Sequence, residues 1–516
     1  MADNILSPTR PQATFTLRQI AGFSFKTCLD EEGVATGYKS CKACGKCRKH
    51  LSGTGYTNLV YHVRSAHPNF EVDMRNASAA ATGTLVSWVS QKGSNRYAWL
   101  RWIVMSNLPL SFCESELTRQ FTSLPGVSVD ILRANMESVT RAVERLIGAE
   151  MPQTLGFILD GWSHGREQYL AVYGCYETPD GPRYPLLSMA PVMQDEDVRL
   201  TAKSNMAAIA RFLPFFGKTL SDCLFLVGDN CAVNKRLANL MGVPLVGCAS
   251  HRLNLAVKSH LAPHEADLEK VQVLMRKLRT LKQAAKLRAK TALAPVLRQE
   301  TRWSSTFAML DRYVRLREFL SADDEDIADL LPTRAAHRRL EPLRDEMKDV
   351  ESISKKLQSE GLTLLQARDL FDGLLELAPD FASYLARDAD IVHSPAFENG
   401  VVKVLSKKAD LLTRDERAAL LPFKCARAAA VPQPARPQKE GLADRILKRR
   451  KVVERQAYSL VTAIPPTSNV VERLFSSARS VLRHVRHRLP PMTVEMLLFL
   501  KVNTKYWDVR VVDACV

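Results

Sequence analysis

No run of uncharged apolar residues in this chain approaches the eighteen or so needed to cross a bilayer as a helix. The N-terminal MADNILSPTRPQ lacks the apolar core of a secretory signal, so an intracellular protein with no membrane partner is expected. Cysteine is sparse and badly distributed for a disulfide framework: the 11 thiols are odd in number, and only Cys41, Cys44 and Cys47 crowd together. Aromatics make up 7% of the chain, with no low-complexity repetition of collagen or coiled-coil kind. An apolar fraction of 46% and a charged fraction of 25% then exclude wholesale disorder. At 516 residues the chain is too long for one ordinary core, which implies several domains.

Acid is short relative to base. Lys and Arg number 72 against 55 Asp and Glu, a net +17 that favours an anionic polymer as partner. Residues 421–516 alone hold 18 basic against 7 acidic side chains, so the last fifth of the chain supplies +11 of the excess.

The first chemistry-bearing pattern is C-x2-C-x17-H-x4-H, formed by Cys41, Cys44, His62 and His67. Two thiolates on a knuckle and two imidazoles on one side of a helical segment are the tetrahedral donor set that zinc takes from a ββα turn. Cys47 stands as a substitute ligand. Lys42, Lys46, Arg48 and Lys49 crowd the same loop, where they serve the charges of an anionic polymer or surface solvation.

After a helical stretch, the hydrophobic period changes at 152. TLGFILD (154–160), YLAVYGCYE (169–177) and PLLSMAPV (185–192) read as strands. A helix follows at about 203–215, then a strand at DCLFLVGD (222–229), a helix near 232–241, a short strand at 243–248 and a helix from about 251. Three antiparallel strands followed by α/β crossovers make an α/β protein with a mixed sheet. Strand signals vanish between roughly 264 and 420, where Leu340, Leu343, Met347, Val350, Ile353 and Leu357 recur at helical intervals.

Asp160 and Asp229 each close an apolar strand. Carboxylates at adjacent strand ends can hold a divalent cation between them, and Glu472 is the candidate for a third ligand. Capping offers a plainer account of each: a turn cap for either aspartate, and an Asn469–Glu472 capping box for the glutamate.

The words around these acids occur in one order: DGWS (160–163), DN (229–230) followed by Asn234, CASHRLNLAV (248–257), TRWSST (301–306) and SNVVERLFSSA (468–478). Together they resemble the hAT superfamily of DNA transposases, and the Cys/His module resembles the BED-type zinc finger that often precedes that family's core. WIVMSNLPLSFCE (102–114) and the block at 465–503 are similar to the family's helical segment and C-terminal dimerisation region. The chain is short for the family, and Phe23 and Phe25 stand where a Trp-containing aromatic signature is expected.

The resemblance implies an RNase H-like mixed-sheet core interrupted by an all-α insertion. Its segments are a finger at 15–75, a helical DNA-binding segment at 83–150 and a first core part at 151–263. The insertion follows at 264–423, a basic Pro-rich linker at 424–454, and core completion with the dimerisation region at 455–508. Asp160, Asp229 and Glu472 fall on the family's catalytic acids, which implies Mg²⁺ or Mn²⁺ there beside structural Zn²⁺ in the finger. Cys248 and His251 fall on its C-x-x-H pair, with packed core groups as the alternative. Trp303 falls on a base-stacking aromatic, the alternative being a core Trp, and Arg302 beside it faces a phosphate or solvent. The implied partners are double-stranded DNA and a second copy of the chain or a higher homo-oligomer, and the implied location is the nucleus, with KRRK at 448–451 as an import signal or a solvated linker. A domesticated, non-cutting zinc-finger regulator that dimerises through its C-terminal region is the alternative function.

Overall fold

The computed structural model describes residues 15–29, 35–51, 53–76, 89–165, 167–192, 201–299, 303–425, 458–482 and 490–516. Arg302, the KRRK run, residues 83–88 of the helical segment and nearly all of the 424–454 linker lie outside them. The chain divides into two compact units, one formed by Met1–Leu146 with Ser480–Val516 and the other by Ile147–Arg479. The protein is of mixed α/β class.

The first unit begins with a helix (Leu17–Ser24) and three antiparallel strands, β1 (Phe25–Leu29), β2 (Ala35–Cys41) and β3 (Cys47–Lys49), in the order β1-β2-β3. The helix Thr57–Ala66 follows. Thr16 and Gln19 form a capping box that starts the first helix. Phe15, Ile20, Phe25, Leu59, Val60 and Val63 are buried together in a small core of their own, which also takes in Cys41. The unit continues with helices Gln91–Ser106, Glu116–Phe121 and the first part of Val129–Glu150, and ends with Pro491–Val502 and Val509–Asp513. Ser90 caps the first of these and donates to the Asp513 carboxylate, which ties the late chain to the early one.

The second unit is built on β4 (Leu155–His164), β5 (Glu167–Thr178), β6 (Gly181–Arg183), β7 (Leu186–Pro191), β8 (Cys223–Gly228) and β9 (Leu245–Gly247). The sheet order is β6-β5-β4-β8-β9, with β7 also on β5. β4, β5 and β7 run antiparallel, whereas β4, β8 and β9 run parallel, joined by crossover helices Ala202–Phe212 and Ala232–Met241. The three antiparallel strands and the crossovers match the expected element order. β6 is an addition: the Pro179–Gly181 turn closes a short hairpin onto the end of β5. Central strands carry Phe157, Leu159, Val172, Phe225 and Val227 buried on both faces, as a sheet covered by helices requires.

From 264 to 423 the described residues carry no named strand. The helices Glu265–Leu278, Trp303–Leu316, Arg334–Leu357 and Leu364–Leu377 pool Leu274, Met309, Leu340, Leu343, Met347, Val350 and Phe371 in one core, with Ile353 packed against it. A last segment returns to the sheet: the backbone carbonyl of Ala463 accepts from the Cys175 thiol at 3.0 Å and from the Tyr184 hydroxyl at 2.9 Å. That return precedes the helix Asn469–Val481.

Candidate functional site

Asp160 was expected to close its strand but lies within β4, five residues after its first and four before its last, because the pairing with β5 continues to His164; Asp229 immediately follows β8, as expected. The two strands are parallel neighbours with Ile158 opposite Val227, so continuing the register by two residues sets Asp160 beside Asp229. Both are partly buried, as is Glu472 on the first turn of Asn469–Val481. Burial, then the charge of Asp229, then that of Glu472 push the Asp160 carboxyl up to about 7, against the opposing hydrogen bond from the Gly161 N–H at 2.8 Å. Asp160 therefore feels both other acids. Asp229 is fixed by Asn234, whose buried side-chain amide donates to its carboxylate and, at 3.3 Å, to its backbone carbonyl.

The helix carrying Glu472 is anchored at its start. The Ser468 N–H donates to the Cys248 thiol at 3.3 Å, and the Asn469 amide donates to Ser250 Oγ and the Leu357 carbonyl, each at 3.1 Å. Asn469 thus spends its side chain on tertiary bonds and is the first residue of the helix, not its cap. Cys248 is buried, which pushes its thiol up. His251 is partly buried on the helix Ala249–Leu261.

One turn beyond Glu472, Phe475 stacks on Trp162 with ring centres 5.6 Å apart at 21°. Trp162 is two residues beyond Asp160, hence on the same face of β4. It also stacks with His164 at 5.1 Å and meets its cross-strand neighbour Tyr169 at 5.6 Å. Strand period two and helix period 3.6 together align acid with acid and ring with ring. Neither ring announces itself in the sequence; DGWS and ERLFS contain them, but nothing in either string points to the other.

Carboxylates are the donor type a hard cation such as Mg²⁺ or Mn²⁺ takes, but among the described residues the side chains gathered closely enough to share one ion are Cys41, Cys44, His62 and His67.

In the first unit, one ligand atom from each of Cys41, Cys44, His62 and His67 lies within 4.8 Å of all the others. Cys41 Sγ is 3.4 Å from His67 Nε2, and Cys44 Sγ is 3.3 Å from His62 Nε2. A tetrahedral zinc with ordinary bond lengths spaces sulfur and nitrogen by about 3.5 Å, so the four residues could hold a zinc ion. Gly45 makes the knuckle: its φ of +72° closes the turn in which its N–H donates to the Cys41 carbonyl at 2.8 Å. Burial first, then the charges of Arg48, His67 and Lys46, hold His62 below the usual imidazole range and keep its lone pair available. Phe25 lies edge-on to His62 at 5.8 Å. Cys47 is outside this cluster and faces Cys28, their sulfurs 3.9 Å apart.

Lys42, Lys46, Arg48 and Lys49 are all exposed around the knuckle and β3. Trp303 is only 8% exposed and belongs to the helical core, so a base meets its ring only after that core opens. No helix among the described residues is long and apolar enough to cross a membrane.

No family model matches the chain, and no curated protein matches it. Among solved structures it is similar to the Drosophila P element transposase strand transfer complex, at a TM-score of 0.34 and 12% identity over 87% of this chain and 99% of that one.

Proposed function

We propose that the chain is a DNA transposase of hAT type, with an RNase H-like core that cleaves and joins DNA at Asp160, Asp229 and Glu472. The observation that carries this reading is the parallel register of β4 and β8, which sets Asp160 beside Asp229; the Asp160 carboxyl, pushed up to about 7 by burial and then by the charges of Asp229 and Glu472, agrees with it. Turn capping accounts for an acid at a strand end, but it gives no reason for three to share one field.

The reaction is in-line displacement at phosphorus, with water as nucleophile in cleavage and the freed 3′-hydroxyl in joining. Asp160, Asp229 and Glu472 would hold Mg²⁺ or Mn²⁺, which would supply Lewis-acid polarisation of the phosphate oxygens and a water of lowered pKa. Asp160 must release its proton to serve as a ligand. Asn234 and the Cys231 side chain both hydrogen-bond the Asp229 carboxylate and fix its orientation. Lys42, Lys46, Arg48 and Lys49 of the zinc-bearing, BED-like module bind backbone phosphates of duplex DNA. Dimerisation through the C-terminal block and residence in the nucleus belong to the same reading.

The test is nicking of a duplex carrying a transposon-like end, with Mg²⁺ or Mn²⁺ against a chelator. Wild type should nick only with metal, and Asp229→Asn should lose the activity by at least a hundredfold while still shifting DNA. A wild-type protein that shifts DNA and never nicks it is instead the non-cutting regulator.

A further inference from the structure

Three arginines from separate elements of the second unit converge on one cavity. Arg252 comes from the helix Ala249–Leu261, Arg368 from Leu364–Leu377, and Arg387 from the loop after Ala382–Leu385. Phe371, Glu398 and Asn399 also line it. Arg252 is 4% exposed and Arg368 7%. Both guanidinium groups lie over the Phe371 ring, at 5.6 and 5.5 Å from its centre.

Carbonyl capping accounts for much of this. Arg252 donates to the carbonyls of Tyr384 and Ala386, both at 2.9 Å, and its third nitrogen reaches Glu398 at 3.3 Å. The other oxygen of Glu398 accepts from the Gly247 N–H at 3.2 Å. Arg368 donates to the Leu385 carbonyl at 2.6 Å and pairs with Asp372 at 2.7 Å, and Arg387 pairs with the second oxygen of Asp372. Two features are left over. Three guanidinium groups face two carboxylates, so one positive charge is unmatched. The Nε–H of Arg368, on a side chain more than nine-tenths buried, has no partner.

A buried cation with an idle donor is costly beside two other cations, and burial first, then the charges of Arg252 and Arg387, hold Arg368 below the usual guanidinium range against the opposing pull of Asp372. An anion removes both costs. The cavity measures about 30 Å³, on a scale where one water needs about 10–15 Å³. That is room for about two to three waters, so one small oxyanion is the largest anion it takes without rearrangement. Guanidinium forks match phosphate geometry better than any other side chain.

We propose that the Arg252, Arg368 and Arg387 cavity is a phosphate-binding site separate from the acid cluster. Its occupant is either a free phosphate ion or one phosphodiester of bound DNA. The site does not depend on the chain being a nuclease.

The test titrates the full-length protein, without divalent metal, with inorganic phosphate against chloride at matched ionic strength. Wild type should show one saturable site and a melting temperature raised by a few degrees at saturation. Arg387→Ala, at a side chain half exposed and so safe for folding, should weaken phosphate binding at least tenfold, and Arg368→Gln should weaken it further. A repeat with saturating duplex identifies the source: lost phosphate binding makes a DNA phosphodiester the occupant, and unchanged binding makes it a free ion. No saturable response beyond chloride, or an equal response in Arg387→Ala, overturns the site.

Discussion

A carboxyl raised to about 7 by burial and two neighbouring acids links folding to pH in a definite direction. The unfolded chain ionises Asp160 near 3.8, the folded chain only near 7. The protonated group therefore favours the fold fully below about pH 4, and that contribution is lost as pH rises through 7. The metal-free protein should melt progressively lower between pH 5 and pH 8. Asp160→Asn, which keeps the shape and removes the charge, should melt above wild type by a margin that widens over the same range. Mg²⁺ or Mn²⁺ should narrow that margin for wild type, most at high pH. Thermal melts at four or five pH values, with and without metal, check all three; a margin independent of pH means that Asp160 does not sit in the field of Asp229 and Glu472.

At the scale of elements, two devices hold functional residues in place, and they differ in how far the sequence announces them. The Cys/His cluster was legible because metal chemistry favours its spacing: two thiols on a knuckle and two imidazoles five residues apart, the second just past the end of the helix Thr57–Ala66, form a donor set that little besides ion binding requires. What spacing left open was Cys47, three residues beyond Cys44, and the turn geometry around Gly45 decides it by sending Cys47 toward Cys28. Metal analysis should accordingly find zinc retained in Cys47→Ser and lost in Cys44→Ser and His62→Ala, and loss should expose residues 15–76 to protease, since binding of structural zinc is folding energy for so small a core. The strand end at Asp229 was legible too, because an apolar run broken by an acid marks the edge of a buried sheet; Asp160 was expected to close its strand in the same way, but β4 runs on through DGWSH to His164 because its pairing with β5 continues there. The Trp162–Phe475 stack was not, since a contact between remote segments leaves no period in either. That stack lies one step along from the acids on both its strand and its helix. Phe475→Ala should cut metal-dependent nicking at least tenfold and weaken Mn²⁺ binding with it, whereas Phe475→Tyr should restore both. Unchanged Mn²⁺ affinity in the Ala variant assigns the ring to packing alone.

Over the whole molecule, +17 is a statement about partners and says little about fold. Charge of this kind acts on DNA by releasing condensed counter-ions, so affinity should fall steeply with salt, with log K dropping by about 0.9 per phosphate neutralised for each unit of log salt. The chain holds its base in two places of different character. Lys42, Lys46, Arg48 and Lys49 are exposed on an element with its own core, while the larger excess lies in the last fifth of the sequence. If the finger is the element that grips duplex DNA, replacing those four residues with Gln should flatten the salt dependence by about 3 to 4 in slope, four contacts at about 0.9 each. It should also weaken binding evenly across DNA sequences, because phosphate contacts position without reading bases. Titrations of a fluorescent duplex at salt concentrations from about 50 to about 300 mM measure the slope directly. An unchanged slope in the fourfold variant moves the electrostatic grip to the basic C-terminal fifth. The Cys/His module would then be left to read base edges or only to fold, and the acids would depend on another part of the chain to bring DNA to them.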